Sequence, residues 1–242
     1  MSEHIYVDRN EAVLRNIPAG STVLDVGCGP GYLAELLPTC NLYGIDNSRP
    51  AIRLAQEHLK KSYLCDITTE IPDMPKLFFD VIVLADILEH VVHPDAVLQK
   101  LKPFLKHTGI MIVSLPNIAN WTIRLKLLFG NFTYTKTGIL DRTHLRFFTR
   151  KTACDFFHQH SLTIHAVDYN PNFVRSLLGL ITILLPKREN ENHPEYMKRM
   201  FNSTQYALYT RFVLPVERFI TRLWPTLFAY QFVFIITPWH RK

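Results

Sequence analysis

An alternation constrains this chain more than any other feature. Runs rich in β-branched and apolar residues, Thr22 to Val26, Leu42 to Ile45, Ser62 to Cys65, Phe79 to Ala85 and Gly109 to Leu115, take turns with stretches of helical periodicity, Gly31 to Leu37, Pro50 to Leu59 and Pro94 to Leu105. A helix between two strands brings the chain back to lay the second strand parallel to the first, so the pattern predicts a parallel sheet covered by helices, with right-handed crossovers. Asn47 or Ser48 and His93 stand near helix starts, and Pro50 and Pro94 suit first-turn positions. Another helix is expected over Thr149 to His160, capped by Thr149, then a strand over Leu162 to Tyr169 and a last one over Leu227 to Thr237. The fold class is therefore α/β, with a seven-stranded, mostly parallel sheet.

At 242 residues one large domain with an insert is expected, and no disulfide is needed to hold it. After Asn170-Pro171 the composition turns apolar and aromatic, broken by the polar run Lys187 to Lys198, so 171–223 is read as a helical insert before the last strand. Phe173 to Leu185 and Tyr206 to Leu223 carry broad apolar faces with Arg175, Arg211, Arg218 and Arg222, which suits a lid, a homodimer contact or a membrane-surface element. Cys28, Cys40, Cys65 and Cys154 form no Cys-x-x-Cys pair, and the first ten residues lack the order of a signal peptide; reduced thiols and a cytoplasmic location are expected. Ser176 to Pro186 is too short to span a bilayer, and Leu223 to Trp239 is interrupted by Pro225, Gln231 and Pro238. The net charge of +6 suits an anionic ligand, but the basic residues are dispersed and nucleic acid is not an expected partner.

The segment Val23 to Leu33 runs from strand to helix through Gly27, Gly29 and Gly31. Such a turn lets main-chain amides approach a ligand. The dinucleotide pattern needs a third glycine where Tyr32 stands, and no Walker lysine follows. Asp25, at the end of the first strand, would repel a phosphate and instead suits a cation, such as the amino group and sulfonium of S-adenosylmethionine. Asp46 ends the second strand, where a carboxylate can accept both ribose hydroxyls, and Asp66 ends the third, within reach of an adenine amino group.

With these pieces in order, Val23 to Gly31, Gly44 to Asn47, Asp66-Ile67, Phe79 to Val91 and Gly109 to Pro116, the chain resembles the class I S-adenosylmethionine-dependent methyltransferases, of the bacterial group near the ubiquinone O-methyltransferases. The resemblance implies a Rossmann-like fold with helices on both faces and an antiparallel last strand. It implies that S-adenosylmethionine is held by Asp25, Gly27, Cys28, Gly29, Gly31, Asp46, Asn47, Asp66, Ile67, Ala85 and Asp86, with the Ala85 carbonyl at the methionine amino group.

Methyl transfer is an in-line displacement in which positioning carries much of the rate, and a general base assists a hydroxyl acceptor. In related methyltransferases a histidine in the loop Leu140 to Thr149 faces the acceptor, so His144 is the candidate base, with Asp141 or Asp86 to orient it. Arg142 and Arg146 could bind an anionic group, and Asn117 and Trp121 stand at the rim after the fifth strand. Tyr6 and Arg9 are weaker candidates to close over the cofactor. Asp86, Glu89 and His90 fall where the ubiquinone enzymes can bind a divalent metal, but too few ligands are visible for a metal to be expected. The expected activity is O-methylation of a small molecule or glycan intermediate; N-methylation, or a cofactor-binding protein that acts through a partner, are the alternatives.

Overall fold

A computed structural model of the chain describes residues 10–171 and 203–238. Seven strands, β1 (Thr22–Val26), β2 (Asn41–Asp46), β3 (Lys61–Leu64), β4 (Phe79–Ala85), β5 (Leu105–Pro116), β6 (Thr163–Pro171) and β7 (Ala229–Thr237), form one sheet in the order β3-β2-β1-β4-β5-β7-β6. Strands β1 to β5 pair in parallel, and β7 runs antiparallel between β5 and β6. The order reverses between β1 and β4, neighbours in space but not in sequence, which opens a crevice above their carboxyl ends.

Val81, Ile82, Val83 and Leu84 in β4 are all essentially buried, as a parallel strand covered on both faces requires. Alternation divides them: Ile82 and Leu84 join Leu24, Val26, Met111, Phe157 and Phe234 on one face, while Val81 and Val83 join Val23, Ile112 and Val233 on the other. Each fully buried side chain of this size contributes about 1.5–3 kcal/mol, an upper figure that chain entropy opposes. The helices α1 (Glu11–Leu14), α2 (Tyr32–Leu36), α3 (Arg49–Ala55), α4 (Pro94–Leu101), α5 (Trp121–Leu128) and α6 (Arg150–Gln159) supply the covering layers. Ser48 caps α3 and Thr149 caps α6, where Thr152 completes a capping box.

Several boundaries differ from the sequence pattern. Helix α3 stops at Ala55 and α4 at Leu101, followed by a 3-10 turn over Lys102–Phe104, and β5 begins at Leu105. Pro103 cannot continue the backbone ladder, so the chain tightens there before turning into the strand. Helix α5 was not expected, because it lacks a single apolar face; the Asn120 side chain starts it by accepting from the Thr122 amide at 3.0 Å.

Of the insert, Phe173 to Leu185 and Arg175 lie outside the described residues, as do Tyr6 and Arg9. The stretch Tyr206 to Leu223, expected as one helix, comprises α7 (Thr204–Leu208), a π-helical turn over Tyr209–Val213 and α8 (Leu214–Leu223), with a short α9 (Pro225–Phe228) before β7. Pro215 has no amide hydrogen to donate back toward Arg211, which accounts for the change of winding just ahead of it. Glu217 and Thr221 are buried on the inner side of α8, and Tyr209 donates its hydroxyl to Glu217 at 2.5 Å. Val216, Phe219 and Leu223 are exposed at helical spacing on its outer side, in line with exposed Phe212 of the π-helical turn. An ion pair between Arg218 and Glu11 ties α8 to α1. Among the described residues no helix is long and apolar enough to cross a membrane.

Candidate functional site

The glycine loop lies where β1 passes into α2. Gly27 and Cys28 both donate their amides to the Ile45 carbonyl, at 2.7 and 3.0 Å, and Gly29 donates to Asp46 Oδ2 at 2.8 Å, so the loop is bound to the end of β2. Gly27 has φ +76, and a Cβ there would sit 2.1 Å from Ile87 Cδ1. Gly29 has φ +51 with nothing within 4 Å of the missing Cβ, leaving its outer side open to a ligand. Gly31 is the N-cap residue of α2, and Cys28 is buried beneath the loop, its thiol pushed far up by burial.

Three carboxylates end adjacent strands with three different environments. Asp25 is 1% exposed, and its Oδ1 has no hydrogen-bond partner; burial, with Asp46 adding repulsion, pushes its carboxyl up to about 8. Asp46 is half-buried, held by the amides of Gly29 and Ser48, each at 2.8 Å, which fixes the carboxylate while leaving further lone pairs for a diol. Asp66 takes both the hydroxyl and the amide of Thr68 on Oδ1, at 2.7 and 2.9 Å, and these bonds hold its carboxyl below the usual range. Asn47 is exposed beside Asp46, Ile67 is buried beneath Asp66, and Ala85 is buried at the end of β4.

Asp86 follows β4 with φ +57, a strained conformation for a residue with a side chain. Ser114 Oγ donates to its Oδ1 at 2.9 Å, and Gln231 Nε2 reaches both carboxylate oxygens at 2.7 Å. Ser114 and Gln231 were not singled out from the sequence. Their signal was a polar residue inside an apolar strand, Gln231 being flanked by Phe232 to Ile236.

His144 is half-buried, with Nδ1 3.1 Å from the Ile139 carbonyl. A carbonyl only accepts, so the neutral ring carries its proton on Nδ1 and its lone pair on Nε2. Of the expected orienting carboxylates, Asp141 accepts on Oδ1 from the amide and hydroxyl of Thr143, and Asp86 is bound as above. A second ring lies against the first, His90 at 4.7 Å between centroids and 71° between planes, its Nδ1 facing the Thr143 carbonyl. Glu89 is fully buried with neither side-chain oxygen partnered, and burial raises its carboxyl well above the usual range, with Asp86 contributing. Ligand atoms of Glu89, His90 and His144 lie within 4.8 Å of one another, so the donor set fits a divalent cation better with His144 than with Asp86.

The substrate-binding residues divide. Asn117 is fully buried and its amide donates to the Thr226 and Ala229 carbonyls, at 3.1 and 2.9 Å; it anchors the entry to β7 and has no face toward an acceptor. Arg146 is exposed and donates from Nε and Nη2 to the Val92 carbonyl, which ties its loop down. Arg142 is exposed, and Trp121 is half-buried at the start of α5. Thr122, Lys126, Thr135, Thr137 and Tyr230 line a recess of about 190 Å³ whose wall includes Ile139, the residue bound to His144. A larger open cleft of about 470 Å³, lined in part by Asp80, lies at the amino ends of β1 and β4, the opposite end of the strands from Asp25, Asp46 and Asp86.

Comparison with known proteins gives the family and the fold. A family model described as a methyltransferase domain matches residues 17–154. The ubiquinone biosynthesis O-methyltransferase of Bradyrhizobium diazoefficiens is 36% identical over 113 residues, which is 44% of this chain and 44% of that protein. That of Pelagibacter ubique is 39% identical over 102 residues, 39% of this chain and 42% of that protein. The chain thus spans under half the length of the curated relatives it matches. Among solved structures, a SAM-dependent methyltransferase from Thermotoga maritima has a TM-score of 0.58 at 14% identity, with 95% of this chain and 86% of that one covered. A SAM-dependent methyltransferase from Archaeoglobus fulgidus has a TM-score of 0.52 at 14% identity, with 89% and 85% covered. These two likenesses show the fold.

Proposed function

The chain belongs to the methyltransferase-domain family, and from that premise we propose that it transfers the methyl group of S-adenosylmethionine to a hydroxyl of a small molecule or glycan intermediate. The observation that carries the reading is Asp25. A carboxylate buried without a partner costs several kcal/mol unless a cation or a proton meets it, and it lies between Asp46 and Asp86 at the carboxyl ends of neighbouring strands. That is the electrostatic inverse of a phosphate site and fits a ligand with an ammonium and a sulfonium.

In this reading Asp46 receives the ribose hydroxyls, Asp66 and Ile67 border the adenine, and Gly27 to Gly29 give the backbone close approach. Asp25, the Ala85 carbonyl and Asp86 form the negative end that receives the methionine ammonium. When bound, S-adenosylmethionine supplies an electrophilic methyl on a good leaving group. His144 Nε2, carrying the lone pair, takes the acceptor proton as the oxygen attacks, and the Ile139 carbonyl stabilises the ring by holding the proton on Nδ1. The likeness to ubiquinone O-methyltransferases supports oxygen as the acceptor atom. Lys126 at the recess and exposed Arg142 give an acceptor with an anionic group two cations nearby.

The test is calorimetric titration with S-adenosylhomocysteine in parallel with NAD. Binding of the first, lost in Asp46→Ala, with no NAD binding, supports the reading; NAD binding or no binding by the folded protein overturns it. A second reading of the histidine pair is favoured by unpartnered Glu89: with His90 and His144 it would hold a divalent cation, which would lower the pKa of an acceptor hydroxyl. Cobalt(II) absorption that disappears in Glu89→Gln separates this from a base acting alone.

A further inference from the structure

A chain of side-chain amides crosses the sheet edge and ends on Asp86, and every link in it has a fixed direction. The Ala12 amide of α1 donates to Asn170 Oδ1 at 3.1 Å, and the Val13 amide donates to Asn10 Oδ1 at 3.1 Å. A backbone amide can only donate, so both asparagines are oriented by the helix. Asn170 Nδ2 must then be the donor to Asn10 Oδ1, at 2.7 Å, and to Gln231 Oε1, at 3.0 Å. With Oε1 committed, Gln231 turns Nε2 toward Asp86 and reaches both carboxylate oxygens. Asn170 and Gln231 face each other in register on β6 and β7, and Gln231 is 6% exposed, so the amide cannot turn toward water instead.

We propose that Gln231, held by Asn170, is a positioning residue for methyl transfer: it fixes the Asp86 carboxylate at the methionine end of the cofactor and couples that carboxylate to the docking of α1. The proposal rests on the cofactor reading above. Asp86 sits at φ +57, and a side chain at such a position keeps its aim only if its surroundings hold it. Ser114 holds one oxygen; Gln231 holds both and supplies the charge-assisted donors. Neither Asn170 nor Gln231 is among the residues assigned to the ligand, so their effect on it is indirect.

Two variants test this. Gln231→Met keeps the shape and removes the donor. Asn170→Asp is isosteric but replaces the donor by a carboxylate oxygen facing Gln231 Oε1, which drives the Gln231 amide to turn over and present its carbonyl to Asp86. Affinity for S-adenosylhomocysteine is measured by calorimetry on the full chain, with melting temperature alongside. Each variant is expected to bind about tenfold more weakly, the loss of a hydrogen bond to a charged group, and the double variant no more weakly than Gln231→Met. A merely structural amide lowers the melting temperature without changing the affinity of the folded protein. Affinity within twofold of the parent in cooperatively melting variants overturns the proposal, as does an additive, hundredfold loss in the double variant. Loss of cooperative melting in both single variants also counts against it, since the amides would then be a strut. A folded parent that fails to bind S-adenosylhomocysteine removes the cofactor reading, and the proposal with it.

Discussion

Replacing Asp25 by Asn should stabilise the ligand-free protein at high pH while weakening its hold on the cofactor. The carboxyl is 1% exposed and is raised from an ordinary 3.8 to about 8, chiefly by burial. Between those values the folded state keeps a proton that the unfolded chain has released, so the folded state binds more protons and stability falls as pH rises from about 4 to about 8. Roughly four units at about 1.4 kcal/mol each set a ceiling of about 6 kcal/mol, and relaxation around the charge brings the expected cost nearer 2–4 kcal/mol. Asn matches Asp in shape and carries no charge. Urea unfolding of parent and Asp25→Asn, at about pH 5 and about pH 8.5, should therefore show the variant ahead by no more than about 1–2 kcal/mol at the lower pH, where the unfolded carboxyl has already ionised, and by about 2–4 kcal/mol at the higher.

Glu89 is raised in the same direction, so the parent carries two carboxyls that weaken it as pH rises, and the Asp25 variant removes one of them. Adding S-adenosylhomocysteine supplies the missing cation, and it should restore the parent more at pH 8.5 than at pH 5 while restoring the variant little at either. A parent whose stability is flat or rising from pH 5 to pH 8 would refute the argument, because the carboxyl would then be ionised and satisfied in the empty protein.

His144→Ala should lower turnover by about 10²- to 10⁴-fold while S-adenosylhomocysteine affinity stays within about twofold, read by steady-state kinetics and calorimetry on one preparation. Gly27→Ala forces a Cβ to 2.1 Å from Ile87 Cδ1 at φ +76 and should cost more than about 2 kcal/mol by denaturant unfolding, with partial recovery in the double variant with Ile87→Ala. Asn117→Ala leaves the Thr226 and Ala229 carbonyls without that donor, and should destabilise by about 1–3 kcal/mol with the acceptor KM unchanged. A raised KM at unchanged stability would return Asn117 to the acceptor site.

The sheet was legible because its signal is local. β1 and β4 were read with the observed ends, since an apolar run between polar residues marks a fully covered strand. The strand-end acids were legible for the same reason: Asp25, Asp46 and Asp66 each interrupt or end such a run. What escaped was set by distance. Asn117 and Arg146 look like ligand residues in sequence, and only the return of β7 and the approach of the Val92 loop supply the carbonyls that occupy them. Gln231 reads as a flaw in an apolar strand until Asp86, 145 residues earlier, is brought to it. Helix α5 gave no period, because apolar residues stand all around it, and its start depends on one asparagine side chain.

Strand direction sets where the segment between β6 and β7 begins and ends. β6 pairs antiparallel to β7 and β7 antiparallel to β5, so β6 points the same way as β1 and β4. Its last residue, Pro171, therefore reaches the rim that carries Asp25, Asp46 and Asp86, and β7 begins on that rim at Ala229. The chain thus leaves β6 and enters β7 at the end of the sheet where β1 to β5 have their carboxyl ends. A segment there can change length and composition without altering the register of any strand, whereas an insert at the amino ends of β1 and β4 lies at the far end of the strands from Asp25, Asp46 and Asp86. The exposed stripe of α8 and the aromatic Trp224 are on such a segment, while Gln231, two residues into the returning strand, bonds to Asp86. Under the proposed function, acceptor contacts on this segment can change without moving Asp86, which Gln231 holds from the strand.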